Sequence, residues 1–122
     1  MDVYPVLTFR NVGTALAWLS RAFGLDARIE NGGDHDFRHA VLIHHNGLVL
    51  VEAERPDELY GTHTGRGWLY VAVDGVDAHY ARAKSAGAEL LSDPHDAEGL
   101  RGYSARDIEG NLWTFGSARP AP

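Results

Sequence analysis

The chain has 122 residues, 44% of them hydrophobic and 23% charged, which suits one soluble domain with one core and argues against disorder. Cysteine is absent, so disulfide staples, thiolate nucleophiles and cysteine-ligated zinc are excluded. The formal charge of -6 comes without a basic stripe, leaving no cationic surface for nucleic acid.

The N-terminal segment MDVYPVLTFRN lacks a basic start followed by an apolar stretch, so no signal peptide is expected and a cytoplasmic location follows. A strand is expected over 3–9. A helix is expected over 11–23: Val12, Ala15, Leu16, Leu19 and Phe23 recur at helical spacing, Asn11 suits the N-cap and Gly24 the stop. Strands then follow over 27–30, 39–45 and 48–54. Asn46-Gly47 between the last two is a strong hairpin signal, since both residues tolerate positive φ. Pairing across that loop would set His45 against Leu48, Val41 against Glu52 and His39 against Glu54. The longest apolar run, Leu48 to Val51, is far shorter than the about 20 residues of a membrane span, so no membrane partner is expected.

Residues 55–66, with Pro56, Gly61 and Gly65, read as a linker. Beyond them come a strand over 68–73 and a helix over 75–87 carrying a Val76, Tyr80, Ala83 stripe and ending at Gly87. Strands follow over 89–91, 102–107 and 112–116, the last two joined at Glu109-Gly110-Asn111. Laying the first helix on the second matches Val12 to Val76, Ala17 to Ala81 and, with one gap, Gly24 to Gly87, a weak internal repeat. Each half therefore reads strand, helix, strand, strand, strand. The expected organisation is one α+β domain over 1–122: module one 1–54, linker 55–66, module two 67–116 and tail 117–122. Each module would bury one sheet face under its helix and leave the other free to curve around a ligand.

The segment RDIEGNLWTFG, Arg106 to Gly116, resembles the D-P-x-G-N-x-W-x-F stretch that closes many vicinal-oxygen-chelate domains. Tyr70 to Tyr80, followed by Ala86-Gly87-Ala88, resembles the second-half opening of that family, and Phe23-Gly24-Leu25 the end of its first helix. Ile108 stands where proline is usual. The resemblance covers nearly the whole chain and implies two paired βαβββ modules, the glyoxalase and bleomycin-resistance fold, forming a curved sheet around a cleft. In the family's metalloenzymes four cleft positions hold a divalent metal. Matching places them here at Tyr4, Glu52, Trp68 and Thr114. Indole has no lone pair for a metal, and neutral hydroxyls are poor ligands beside the usual His and Glu. No metal and no cofactor are therefore expected, and the chain looks closest to the metal-free bleomycin-resistance branch.

If strand alternation holds, Tyr4 shares a face with Val6 and Thr8, and Trp68 with Tyr70 and Ala72. Tyr4, Trp68 and Tyr70 would then surround Glu52, an arrangement suited to a flat or cationic organic molecule. The alternative is that Trp68 and Tyr70 pack against each other or a partner subunit. Trp113 and Phe115 should lie under the helices. His39, beside Glu52 and Glu54, is a further candidate for the ligand, as metal ligand or general base, with a cross-strand ion pair as the simpler alternative. Arg106 and Tyr103 border the expected cleft and are included as ligand-binding candidates, Arg106 for a carboxylate or phosphate. The polar loop Asp34-His35-Asp36 with Arg38 could cap the cleft. The resemblance thus implies a drug-sequestering, antibiotic-resistance-like homodimer binding a small organic ligand. A metal-dependent lyase, isomerase or dioxygenase, and an interaction module with an aromatic interface, are the alternatives.

Overall fold

The structure, a computed structural model, describes residues 3–29, 39–54 and 63–121. The first half supplies β1 (Val6–Phe9), α1 (Val12–Phe23), β2 (Asp26–Ile29), β3 (His39–His44) and β4 (Gly47–Ala53). The second supplies β5 (Trp68–Ala72), α2 (Val76–Ser85), β6 (Glu89–Leu90), β7 (His95–Ala97), β8 (Leu100–Arg106) and β9 (Leu112–Gly116). The expected loop Asp34 to Arg38 lies outside the described residues.

The two sheets repeat one topology: β1-β4-β3-β2 in the first, and β5-β9-β8-β6 with β7 on β8 in the second. In both, the strand before the helix pairs in parallel with the last strand of its half. β7 was not foreseen. Glu98 and Gly99 both adopt positive φ and turn the chain from Ala97 back to Leu100, which lengthens β8 at its start.

Helix α1 forms as its caps dictate. The Asn11 side chain accepts from Thr14 N at 3.1 Å, and Gly24 takes φ 73°, which returns its N–H to Ser20 O. Seven of its residues are buried, Trp18 and Ala22 beside the expected stripe. Helix α2 is the weaker element: Gly75 offers no side-chain cap, and only Val76 and Ala83 are fully buried.

The hairpin register differs from expectation. His44 faces Gly47, so the turn residues are His45 and Asn46, with His45 at φ 53°. Each β3 residue consequently meets a β4 partner two positions earlier than expected: Val41 opposes Leu50, and His39 opposes Glu52 instead of Glu54. A two-residue slip keeps every side chain on its face and changes only its neighbour.

Leu7, Phe9, Ala40, Leu42 and Val51 of the first sheet join Tyr103, Ala105, Trp113 and Phe115 of the second in one core, with the helices between them. Phe23 is its centre, touching the rings of Trp18, Trp113, Phe115 and His79. Arg82 of α2 donates to Ser20 O and Arg21 O, the last carbonyls of α1. Both sheets thus turn their helix-side faces inward, and the alternate residues of each face away from the shared core. No helix among the described residues is long and apolar enough to cross a membrane.

Candidate functional site

Strand β5 shows how the outward face is made. Leu69 and Val71 pack on the core, so Trp68 and Tyr70 must point the other way, and Trp68 is 72% exposed. The indole is nonetheless held: its Nε1–H donates to Thr114 Oγ1 at 3.1 Å, and Thr114 Oγ1 is 2.9 Å from Ser104 Oγ. Tyr70 donates to Ala118 O at 2.7 Å and so ties down the C-terminal tail. Arg106 ends the same face, donating from Nη1 to Gly110 O and lying 3.5 Å from Glu89. Its partners are therefore Gly110 and Glu89; neighbouring Asp107 and Glu109 serve elsewhere.

Tyr103 is not on this face. It alternates with Ser104 and Arg106, stands beside Ala105 in the core and is 1% exposed. Its hydroxyl meets His79 Nδ1 at 2.5 Å, and burial pushes its pKa up. Trp113 and Phe115 lie under the helices as expected.

Tyr4 and Glu52 belong to the first sheet. Tyr4 is half-exposed just before β1, and Glu52 is paired in register with Thr8 of β1 and His39 of β3. The side chain of His39 lies outside the described residues. One chain thus carries the aromatic pair on one outward face and the carboxylate on the other.

Two of the positions that the resemblance matches to the family's metal ligands, Trp68 and Thr114, can be judged by the chemistry of their groups. At Trp68 an N–H points into the site, and the Thr114 hydroxyl is taken up by Trp68 and Ser104. Those groups do not fit a divalent cation. Among the described residues no group of three His, Asp or Glu side chains is placed to hold one.

Asp107 was passed over, although it lies in the recognised motif. It is buried and accepts from Glu109 N, Asn111 N, Asn111 Nδ2 and Trp113 Nε1. Asn111 Oδ1 in turn accepts from Gly67 N, and the Glu109 carboxylate accepts from Arg10 N and Asn11 N at the entry to α1. The motif is thus a hydrogen-bonded clasp between the halves.

His79 is the other internal polar group. Its Nε2–H donates to Phe23 O at 2.8 Å, which leaves Nδ1 to accept from Tyr103. Burial lowers its pKa, opposed by the Phe23 bond and reinforced by Arg82 and His44. A histidine with a depressed pKa binds fewer protons folded than unfolded, so stability should fall as pH drops below about 6.5 and level off below the folded pKa. Urea midpoints at pH 7.5, 6.5 and 5.5 should show that decline, and His79→Gln should flatten it. An unchanged slope would remove His79 as the cause.

The chain matches the family model described as Glyoxalase/Bleomycin resistance protein/Dioxygenase superfamily over residues 3–115, and it belongs to that superfamily. Among solved structures it is similar to TioX from Micromonospora sp. ML1, at 33% identity and TM-score 0.79 over 94% of this chain and 98% of that one. The hypothetical protein SA1046 from S. aureus shares the fold at 15% identity and TM-score 0.73, over 97% of each chain. A superfamily member from Sphaerobacter thermophilus DSM 20745 does so at 16% identity and TM-score 0.73, over 95% of this chain and 97% of that one. No curated protein matches.

Proposed function

We propose that the protein is a metal-free binding protein that sequesters an aromatic or cationic organic compound, in the manner of an antibiotic-resistance protein. The observation that carries this is Trp68: a large aromatic ring, oriented by Thr114 and left 72% exposed. An indole fixed in place but uncovered is prepared to stack on a flat ligand, since little of its freedom remains to be lost on binding. Tyr70 extends the aromatic surface. Val6, Tyr4 and Glu52 supply apolar contact and a carboxylate on the other sheet, and Arg106 stands ready for an anionic group.

Because the two sets of residues face away from one core, a complete cleft needs the first sheet of one copy against the second sheet of another. The working form is therefore a homodimer with two clefts, cytoplasmic, and without nucleic-acid or membrane partners. Sedimentation equilibrium should give a dimer; a monomer at micromolar concentration that still binds ligand would defeat this assembly.

Of the three tryptophans, Trp68 alone is exposed, so it dominates quenching by solutes. Titration with planar aromatic and cationic glycopeptide compounds should change its emission saturably. Trp68→Ala should weaken that binding by about 1–3 kcal/mol while leaving the unfolding midpoint nearly unchanged. Lost stability with intact binding would make the ring structural. A dimer indifferent to every compound would point to an interaction module. Near-stoichiometric metal in protein purified without chelator would favour the metal-dependent lyase, isomerase or dioxygenase.

A further inference from the structure

A cavity lies between the halves, away from Trp68, with Tyr70 of the outward face at its rim. It measures about 640 Å³ and is walled by Leu25, Leu42, Val49, Leu69 and Val71, with Trp113 behind them. Leu42, Val49, Leu69, Val71 and Trp113 all have the helix-side orientation, so this space opens between the sheets where the β3–β4 hairpin approaches β5. That volume is within the range of about 300–1,000 Å³ that takes a drug-sized molecule.

The mouth has a definite chemistry. Among the described residues its ionisable groups are His44, His45, Arg119 and Tyr70, and none of those lining it is a carboxylate, in a chain whose net charge is -6. His44 is fixed by donating from Nε2 to Ala72 O at 3.1 Å and packs edge-on to His45 with ring centroids 4.4 Å apart. Arg119 donates one N–H to Asp74 at 2.6 Å, which sets the position of its guanidinium. Asp74 offsets part of that charge, so Arg119 acts mainly through directed N–H groups. The tail is held over the opening by the bond from Tyr70 to Ala118 O, and Pro120 closes one side.

We propose that this crevice is a second binding site, for an organic anion. Its apolar ring or chain lies against Leu42, Val49, Leu69 and Val71, and its carboxylate or sulfonate sits at the mouth toward His45 and Arg119, with His44 held at the rim by its bond to Ala72 O. Directed N–H donors against an anion are the stronger kind of hydrogen bond, and the apolar walls supply the burial.

The probe is 8-anilinonaphthalene-1-sulfonate, whose emission rises in apolar surroundings. Folded protein should enhance it saturably at one site per chain. Val71→Trp, which fills the crevice, should weaken binding about tenfold or more, and Arg119→Ala about tenfold. The neutral analogue N-phenyl-1-naphthylamine should bind Arg119→Ala as it binds the wild type. Trp68→Ala should leave the sulfonate isotherm unchanged, which separates this site from the outward face: failure of one leaves the other standing. Amide NMR gives a second readout independent of the filling variant's fold, with shifts expected at Leu42, His45 and Val49 and not at Ser104 or Leu112. No saturable enhancement, or binding lost in Trp68→Ala and kept in Val71→Trp, would overturn the proposal.

Discussion

Phe23→Ala should destabilise the protein by about 3–5 kcal/mol, measured as a fall in the urea midpoint at constant slope. The ring is almost wholly buried and meets Trp18 at 4.9 Å, Phe115 at 4.8 Å and Trp113 at 5.7 Å between centroids. Truncation removes the transfer energy of the ring and leaves a cavity walled by rigid aromatic side chains, which close over it poorly. Phe23 is also the residue through which the first helix reaches the second sheet. The loss should therefore weaken the union of the two halves, and Phe23→Leu should recover a good part of it. A cost below about 1 kcal/mol would mean that the halves hold together by other contacts.

Asp107→Ala should cost about 2–6 kcal/mol, because it orphans the buried donors Asn111 Nδ2 and Trp113 Nε1 at roughly 1–3 kcal/mol each. The clasp extends further. With Asn111 no longer anchored, its bond from Gly67 N is loosened, and with it the entry to β5 that orients Trp68. The variant should thus lose ligand affinity as well as stability, whereas Trp68→Ala should lose affinity alone. Asp107→Asn keeps one acceptor oxygen and should fall between wild type and alanine. A fully stable Asp107→Ala protein would show that water or rearranged side chains satisfy these donors.

Wherever local chemistry is strong, the elements could be read from the residues. Asn11 and Gly24 bracket α1 because a capping side chain and a left-handed glycine are local requirements. Alternation along β9 placed Trp113 and Phe115 inside, since each strand shows its residues to two faces in turn. On β8 no anchor fixes the phase of alternation, because Ala105 is too small to announce a core face, and Tyr103, named with Arg106 only for its place beside the expected cleft, proves buried. The hairpin slipped by two residues because Asn46-Gly47 is a sound turn by local preference, while the observed ladder closes at His44 and Gly47.

From the residues alone came the βαβββ repeat and the family, because each depends on the order and kind of side chains near one another in the chain. Only the tertiary structure decided how the sheets face. A single core, filled by Phe23 and both helices, turns the two outward surfaces apart and opens a crevice between the sheets. Contacts such as Phe23 with Trp113, or His44 with Ala72, join residues far apart in the chain, and no local pattern encodes which distant partner will bury a given face.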